Sequence, residues 1–266
     1  MSAGFSQVDA NQDARFFVQL VDRMNAMTQL QDVKRVAHSL LAAQPGERFL
    51  EVGSGTGEDA VRLAEAVGPG GSVVGVEPSE IMLDEARRRF GDRELPLEWI
   101  QADAEALPFP DGSFDGAHAD RVLQHVADPA RVIGEMVRVT RSGGRIVISD
   151  TDWVMTGVDA ADQAVTDRII QVFARLQIRN GSIGRQLRGL LLQAGLLDVD
   201  VIPHPLLFTD WQDHGDWASM VAMRAVQAQA IAQQEADAWL EDLAARGEAG
   251  RYLAVIMMFT VAGRVP

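Results

Sequence analysis

Three glycines on alternate positions, Gly53, Gly55 and Gly57, follow the run Phe49-Leu-Glu-Val52, in which Glu51 is an acid. Glycine serves where the backbone takes positive φ, or where a ligand comes close with no Cβ in the way. The order G-x-G-x-G differs from the dinucleotide fingerprint G-x-G-x-x-G, and no lysine follows as it does in a phosphate-cradling loop. Glu51 is badly placed against a pyrophosphate and well placed for a cation. The loop therefore suits a positively charged nucleoside without phosphate, with Glu51, Gly53, Ser54, Gly55 and Gly57 as contacts. Two further acids recur downstream at comparable places: Glu77, followed by Pro78, and Asp103, followed by Ala104 and Glu105. Each follows a short apolar run, and a carboxylate at such a strand end can accept both hydroxyls of a ribose.

Elements that bring these residues together are legible in the spacing. Short apolar runs at 48–52, 72–77, 97–101, 114–118 and 145–149 alternate with helix patterns at 58–67, 79–90 and 128–139. That alternation implies βαβ units and a parallel sheet. The glycine loop, Glu77 and Asp103 then sit at the ends of three successive strands, where one crevice gathers them. Apolar positions at helical spacing over 14–43, with a break near Thr28, predict two helices ahead of the first strand. Beyond Asp150 the pattern predicts a helix at about 159–178, another from a Ser182 cap to 194, a strand at 199–202, an inserted helical stretch at 210–247 and a last strand at 252–261. The expected architecture is α/β: a seven-stranded, mostly parallel, Rossmann-like sheet with helices on both faces and a helical cap. We divide it into an N-terminal cap (1–44), a ligand-binding core (45–150) and the rest of the sheet with an inserted lid (151–266, the lid at about 151–181 and 210–247).

Four stretches in this order, Glu51-Val-Gly-Ser-Gly-Thr-Gly57, Gly75-Val-Glu77-Pro-Ser79, Gln101-Ala-Asp103-Ala-Glu105 and Leu107 to Asp115 followed by Arg121-Val-Leu-Gln-His125-Val-Ala-Asp-Pro129, resemble the class I S-adenosylmethionine-dependent methyltransferases. The similarity is to the branch acting on small molecules, including ubiquinone/menaquinone-type and natural-product enzymes. S-adenosylmethionine carries a sulfonium and an ammonium and no phosphate, as the loop requires. The resemblance implies that the glycine loop wraps the methionine part and Glu77 takes the ribose. It also implies that Met82 packs on the adenine, Asp103 and Ala104 meet its edge, and the backbone around Ala119 and Asp120 closes over the ammonium. Asp22-Arg-Met-Asn25 is similar to the Tyr-Asp-x-x-Asn entry of quinone-pathway members without its aromatic residue, which counts against a quinone acceptor.

Methyl transfer from a sulfonium needs an aligned acceptor, exclusion of water and, for a hydroxyl or enol, removal of a proton. His125 is the candidate base, with Asp150 at the tip of the fifth strand holding its tautomer. O-methylation ranks ahead of C- or N-methylation, and a non-methylating reaction at the same cofactor stays open. Aromatic and methionine residues at 16–27, 153–173 and 211–239 are expected to line an apolar acceptor pocket, with Arg23 and Gln29 reaching toward it. No His/Asp cluster has metal-ligand spacing, and the chain has no cysteine.

A formal charge of −14 argues against nucleic acid and anionic membrane as partners. Of the 24 basic residues only Lys34 is a lysine, which reads as codon usage. Met1–Asp13 lacks the pattern of a signal peptide, and the longest apolar run is short of a membrane span. A cytoplasmic protein acting on a small molecule is expected; its oligomeric state is open, a homodimer being compatible.

Overall fold

Strand β1 (Arg48–Val52) is buried at every position after the first, because parallel neighbours flank it on both sides. Those neighbours are β2 (Ser72–Glu77) and β4 (Phe114–Asp120), and β3 (Leu97–Gln101) lies outside β2. The computed structural model describes residues 8–9 and 14–266. Among them, seven strands form one sheet in the order β3-β2-β1-β4-β5-β7-β6. Strands β5 (Thr140–Val158) and β6 (Leu197–Phe208) both pair antiparallel with β7 (Ala254–Arg264); the other pairings are parallel. The architecture is thus the Rossmann-like, mostly parallel α/β sheet that the alternation of runs implied.

Two helices precede the sheet, α1 (Ala14–Ala26) and α2 (Thr28–Leu41), broken where the spacing put the break. On one face, Ala37 and Leu41 of α2 join Ala60, Leu63 and Val67 of α3 (Glu58–Val67) against Phe49, Val73 and Val147. Helix α4 (Glu80–Phe90) runs beside them along β2 and β3. On the other face, α5 (Pro129–Val139) and α7 (Ile183–Gln193) pack Ile133, Met136, Leu187 and Leu191 on Leu50, Val76, Ala117 and Ile146. A third core joins α6 (Gln163–Val172), α8 (Trp211–Gln227) and α9 (Gln233–Glu248) to the far ends of β5, β6 and β7 and to Leu30 and Val33 of α2. Helix α6 runs on into a π-helical turn, Phe173–Gln177.

Two strand boundaries depart from the expectation for a pairing reason, and one expected cap is absent. Strand β5 continues to Val158 because β7 accompanies it past the point where β4 stops: Ser149 still pairs with Asp120, but Asp150 and Asp152 pair only across to Phe259 and Met257. Asp150 therefore lies inside a strand and not at a tip. Strand β6 is 12 residues long and absorbs Pro203 and Pro205, which an edge strand tolerates. Ser182 makes no side-chain cap to α7. The expectation that Met1–Asp13 carries no signal peptide falls, except for Val8 and Asp9, outside the described residues. No helix among the described residues is long and apolar enough to cross a membrane.

Candidate active site

The glycine loop leaves β1 through three left-handed residues. At Gly57 (φ +100°) a Cβ would meet the Trp99 ring at 2.5 Å, so that position packs the loop against β3. At Gly55 (φ +51°) a Cβ would meet nothing within 4 Å, so that position faces open space. The Gly55 amide donates to Glu77 Oε2 and the Ser79 amide to Glu77 Oε1, both at 3.1 Å. Burial pushes the Glu77 carboxyl above its ordinary range despite these two amides, and nearby Asp9 adds to the shift. Ser54 Oγ is buried and without a hydrogen-bond partner among the described residues. An acid presented between two amides, an open glycine and an orphaned hydroxyl fit a nucleoside cofactor at this loop.

Around them, Pro78 is exposed and its carbonyl accepts from Gln101 Nε2 at 3.0 Å. Met82 is buried with Val8 and Phe17, so the N-terminal segment covers the side chain expected to meet adenine. Asp9 accepts from Ser79 Oγ and from the Glu80 amide (2.9 Å), fixing that segment over the start of α4. Asp103 is exposed and accepts the Glu105 amide at 2.9 Å; Ala104 is buried beside it.

Glu105 turns away from this group. Its Oε1 accepts the Ala127 and Asp128 amides at 2.8 and 3.0 Å, so it anchors the loop that carries His125. Glu51 is also engaged. It stands directly across from His118 in the β1/β4 register, and His118 Nδ1 lies 3.0 and 2.8 Å from its two oxygens. Burial works against the His118 charge, but Glu51 outweighs it and holds the imidazole above its ordinary value. The carboxylate expected to meet a ligand cation already has a hydrogen-bond partner of the chain's own.

That pair belongs to a larger buried network that the sequence did not reveal. Lys34 of α2, only 4% exposed, pairs with Asp59 of α3 and, at 3.1 Å, with Asp120 at the end of β4. His38 Nε2 lies 3.2 Å from Asp59, and its ring centroid is 5.5 Å from that of His118. Arg121 Nε donates to Asp120 Oδ2 at 3.0 Å. Burial alone would disfavour every charge here. Mutual pairing keeps Asp59 and Asp120 below the ordinary carboxylate range and Lys34 above the ordinary amine. The single lysine, read as codon usage, ties the N-terminal cap to the strand ends. Its signal was an i, i+4 pair, Lys34 and His38, on the buried face of a helix.

His125 is half-buried in the loop after β4. Burial, and then the Arg121 charge, push its pKa down to about 4. Asp150 does not hold the imidazole. Its Oδ2 accepts the Gln124 amide (3.1 Å) and its Oδ1 the Thr151 amide (2.8 Å), so it fixes the backbone just before His125. Desolvation raises Asp150 to about 7. Gln124 in turn accepts from Trp153 Nε1 at 2.6 Å, and Asn180 Nδ2 donates to the Leu123 and Val126 carbonyls. One neighbouring expectation, that Gln29 reaches toward the acceptor, also changes. Gln29 exchanges both amide groups with the Leu207 backbone, and Asp152 pairs with Arg185. Aromatic residues expected to line the acceptor pocket pack on one another: Trp153 on Phe173 at 5.0 Å and Phe173 on Trp217 at 5.9 Å, with His214 stacked between Phe208 and Trp217.

Comparison with known proteins agrees with this geometry. A family model described as a methyltransferase domain matches residues 50–148. The chain is 37% identical over 247 residues, 92% of its length and 70% of the relative's, to an uncharacterized 37.1 kDa protein in transposon TN4556 of Streptomyces fradiae. It is 39% identical over 115 residues to the demethylmenaquinone methyltransferase of Thermus thermophilus, a match covering 43% of this chain and 52% of that protein. Against that quinone-pathway relative the chain thus spans about half the relative's length. The solved structure of the YcgJ protein from Bacillus subtilis shares the fold, with a TM-score of 0.61 at 17% identity over 88% of this chain and 98% of that one. Residues 50–148 carry the methyltransferase domain, and the chain is a class I S-adenosylmethionine-dependent methyltransferase. Its cofactor is S-adenosylmethionine.

Proposed function

We propose that this enzyme methylates a small, largely apolar acceptor bearing a hydroxyl or enol, in quinone-like or natural-product metabolism, with oxygen as the first-ranked methyl-accepting atom. The observation that carries the reading is the convergence of the open Gly55, the orphaned Ser54 hydroxyl and the amide-held Glu77 at adjacent strand ends. When bound, the cofactor supplies an electrophilic methyl group on a good leaving group. Glu77 takes the ribose, the glycine loop lies along the methionine part, Met82 and Ala104 flank the adenine, and Asp103 accepts from its edge. The Ala119–Asp120 backbone closes the end near the ammonium. Glu51 acts one step removed, through His118, and Glu105 through the loop it anchors.

His125 is the group placed to take the acceptor's proton. An imidazole with a pKa near 4 stays neutral at physiological pH, the form that can accept a proton. Removing the proton of an enol or phenol makes both its oxygen and the adjacent carbon nucleophilic. C-methylation is therefore the second reading, favoured by 38% identity over 117 residues to a ubiquinone/menaquinone biosynthesis C-methyltransferase of Pseudomonas putida. The acidic composition supports a small-molecule acceptor over nucleic acid, and a cytoplasmic setting fits the same reading. Incubation with methyl-labelled S-adenosylmethionine and a panel of phenols, enols and hydroquinones tests it. Release of S-adenosylhomocysteine with label in one acceptor is expected. Tight cofactor binding with no turnover on any acceptor, including the native pathway intermediate, would overturn it.

A further inference from the structure

Arg121 is not accounted for by the cofactor loop. It leaves β4 with φ +56°, a left-handed conformation disfavoured for any residue with a side chain. Strained backbone of this kind clusters where a side chain must be aimed for function. Its amide still donates to the Ser149 carbonyl at 2.8 Å, so the turn is held in place. The guanidinium is carried under α1, where Nη1 meets Met24 Sδ at 3.2 Å and Nη2 meets Asn25 Oδ1 at 3.4 Å.

A guanidinium offers five N–H donors, and arginine is selected where paired oxygens of an anion must be met. Other arginines of this chain use theirs that way. Arg89 is shared among Asp22, Glu58 and Glu85, and Arg138 between Glu135 and Asp111. Arg121 spends Nε on Asp120, a carboxylate already shared with Lys34. Among the described residues its outer nitrogens meet a thioether, a weak acceptor, and one long contact to a neutral amide. Both partners belong to the cap helix. The Arg121 charge also reaches His125 and Asp150.

The geometry points to Arg121 as the group that holds an oxygen anion of the methyl acceptor, its Nη donors turning from Met24 and Asn25 to a phenolate or enolate oxygen. The assignment rests on the methyltransferase reading above, since it places the acceptor under α1 beside the cofactor. It also completes the proton transfer. As the acceptor's O–H bond breaks, the proton passes to the His125 imidazole and the electron pair stays on the oxygen, beside the guanidinium. A weakened imidazole is a poor base for an ordinary phenol, and a cation at the developing anion closes that gap. Acceptors with an acidic hydroxyl are selected over amines of the same shape.

The test uses 4-nitrophenol with the full-length protein saturated with S-adenosylhomocysteine, reading calorimetric affinity and the absorbance of the phenolate. The wild-type complex takes up the probe as its anion. In Arg121→Gln the affinity for the probe falls at least about tenfold and the anion absorbance is lost, while S-adenosylhomocysteine affinity changes less than about twofold. Arg121→Lys keeps the charge without the fork, so it retains the anion absorbance at reduced affinity, and it decides the question should the glutamine variant fail to fold. Uptake of the probe in its neutral form or not at all by wild type, equal anion binding by Arg121→Gln, or loss of the anion signal in a folded Arg121→Lys overturns the assignment. No heat with S-adenosylhomocysteine itself sinks the cofactor reading and this assignment with it. Heat with S-adenosylhomocysteine but a neutral bound probe sinks the assignment alone.

Discussion

At Glu77 two backbone amides point at a carboxylate that burial would prefer uncharged. Such a group is held ready for a partner that brings further donors. Hydrogen bonds to a charged group contribute about 1.5–3 kcal/mol each. Glu77→Ala should therefore weaken S-adenosylhomocysteine binding about 100-fold by calorimetry, and a loss below about threefold would remove Glu77 from the cofactor set. Histidine and aspartate separate on the pH axis. In kcat/KM against pH, an inflection near 4 belongs to His125 and disappears in His125→Ala, whereas one near 7 belongs to Asp150 and disappears in Asp150→Asn. A single inflection at the unperturbed 6.5, lost with His125→Ala, would contradict the burial of the imidazole. The acids at the ends of β1, β2 and β3 were legible in the sequence because strand, glycine loop and acid are contiguous. What they bind to was not: the Glu51–His118 pair joins residues 67 apart, set side by side only by strand register.

Helix α2 is fastened by charge as well as by apolar packing. Lys34→Met would leave Asp59 and Asp120 buried with one cation fewer, and breaking a buried pair from one side costs about 3–5 kcal/mol. A thermal midpoint lower by roughly 10 °C is expected, at about 2–4 °C per kcal/mol in a chain of this size. The Lys34→Met, Asp59→Asn double variant should lose less than the sum of the two single changes. Helix α8 adds a pH signature through His214, which faces Tyr252 and stacks on Phe208 and Trp217. Desolvation lowers its pKa to about 4, so between pH 6.5 and 4 the unfolded chain binds the proton that the fold refuses. His214 thus contributes stability above pH 6.5 that is lost as pH falls toward 4. Asp150, raised to about 7, has the opposite sign: its stability is full at low pH and is lost as pH rises from about 4 to 7. Urea denaturation of His214→Phe at several pH values should show a shallower fall on acidification than wild type, even if the variant is weaker at pH 8. Helix boundaries were readable because periodicity is local. The lengths of β5 and β6 were not, because both are set by pairing with β7, about 100 and 50 residues further along the chain.

For the molecule as a whole, cofactor and stability are linked. A ligand present at about 100 times its Kd adds about 2.7 kcal/mol to the folded state. S-adenosylhomocysteine should raise the thermal midpoint of wild type by several degrees and that of Glu77→Ala by much less. An equal rise in both would place the ligand elsewhere. Fold class and strand alternation could be read from one sequence, because each rests on a contiguous pattern. The acceptor side proposed above could not, since its residues lie on α1, the loop after β4 and the end of β5, which meet only in the folded chain. The burial of Lys34 carries one more consequence. The chain owns a single ε-amino group, and folding hides it. Acylating reagents, which need a free amine, can modify that side chain only when α2 lifts from the sheet. The rate of lysine acylation then serves as a clock for the opening of the cap, in a protein with no other side-chain amine.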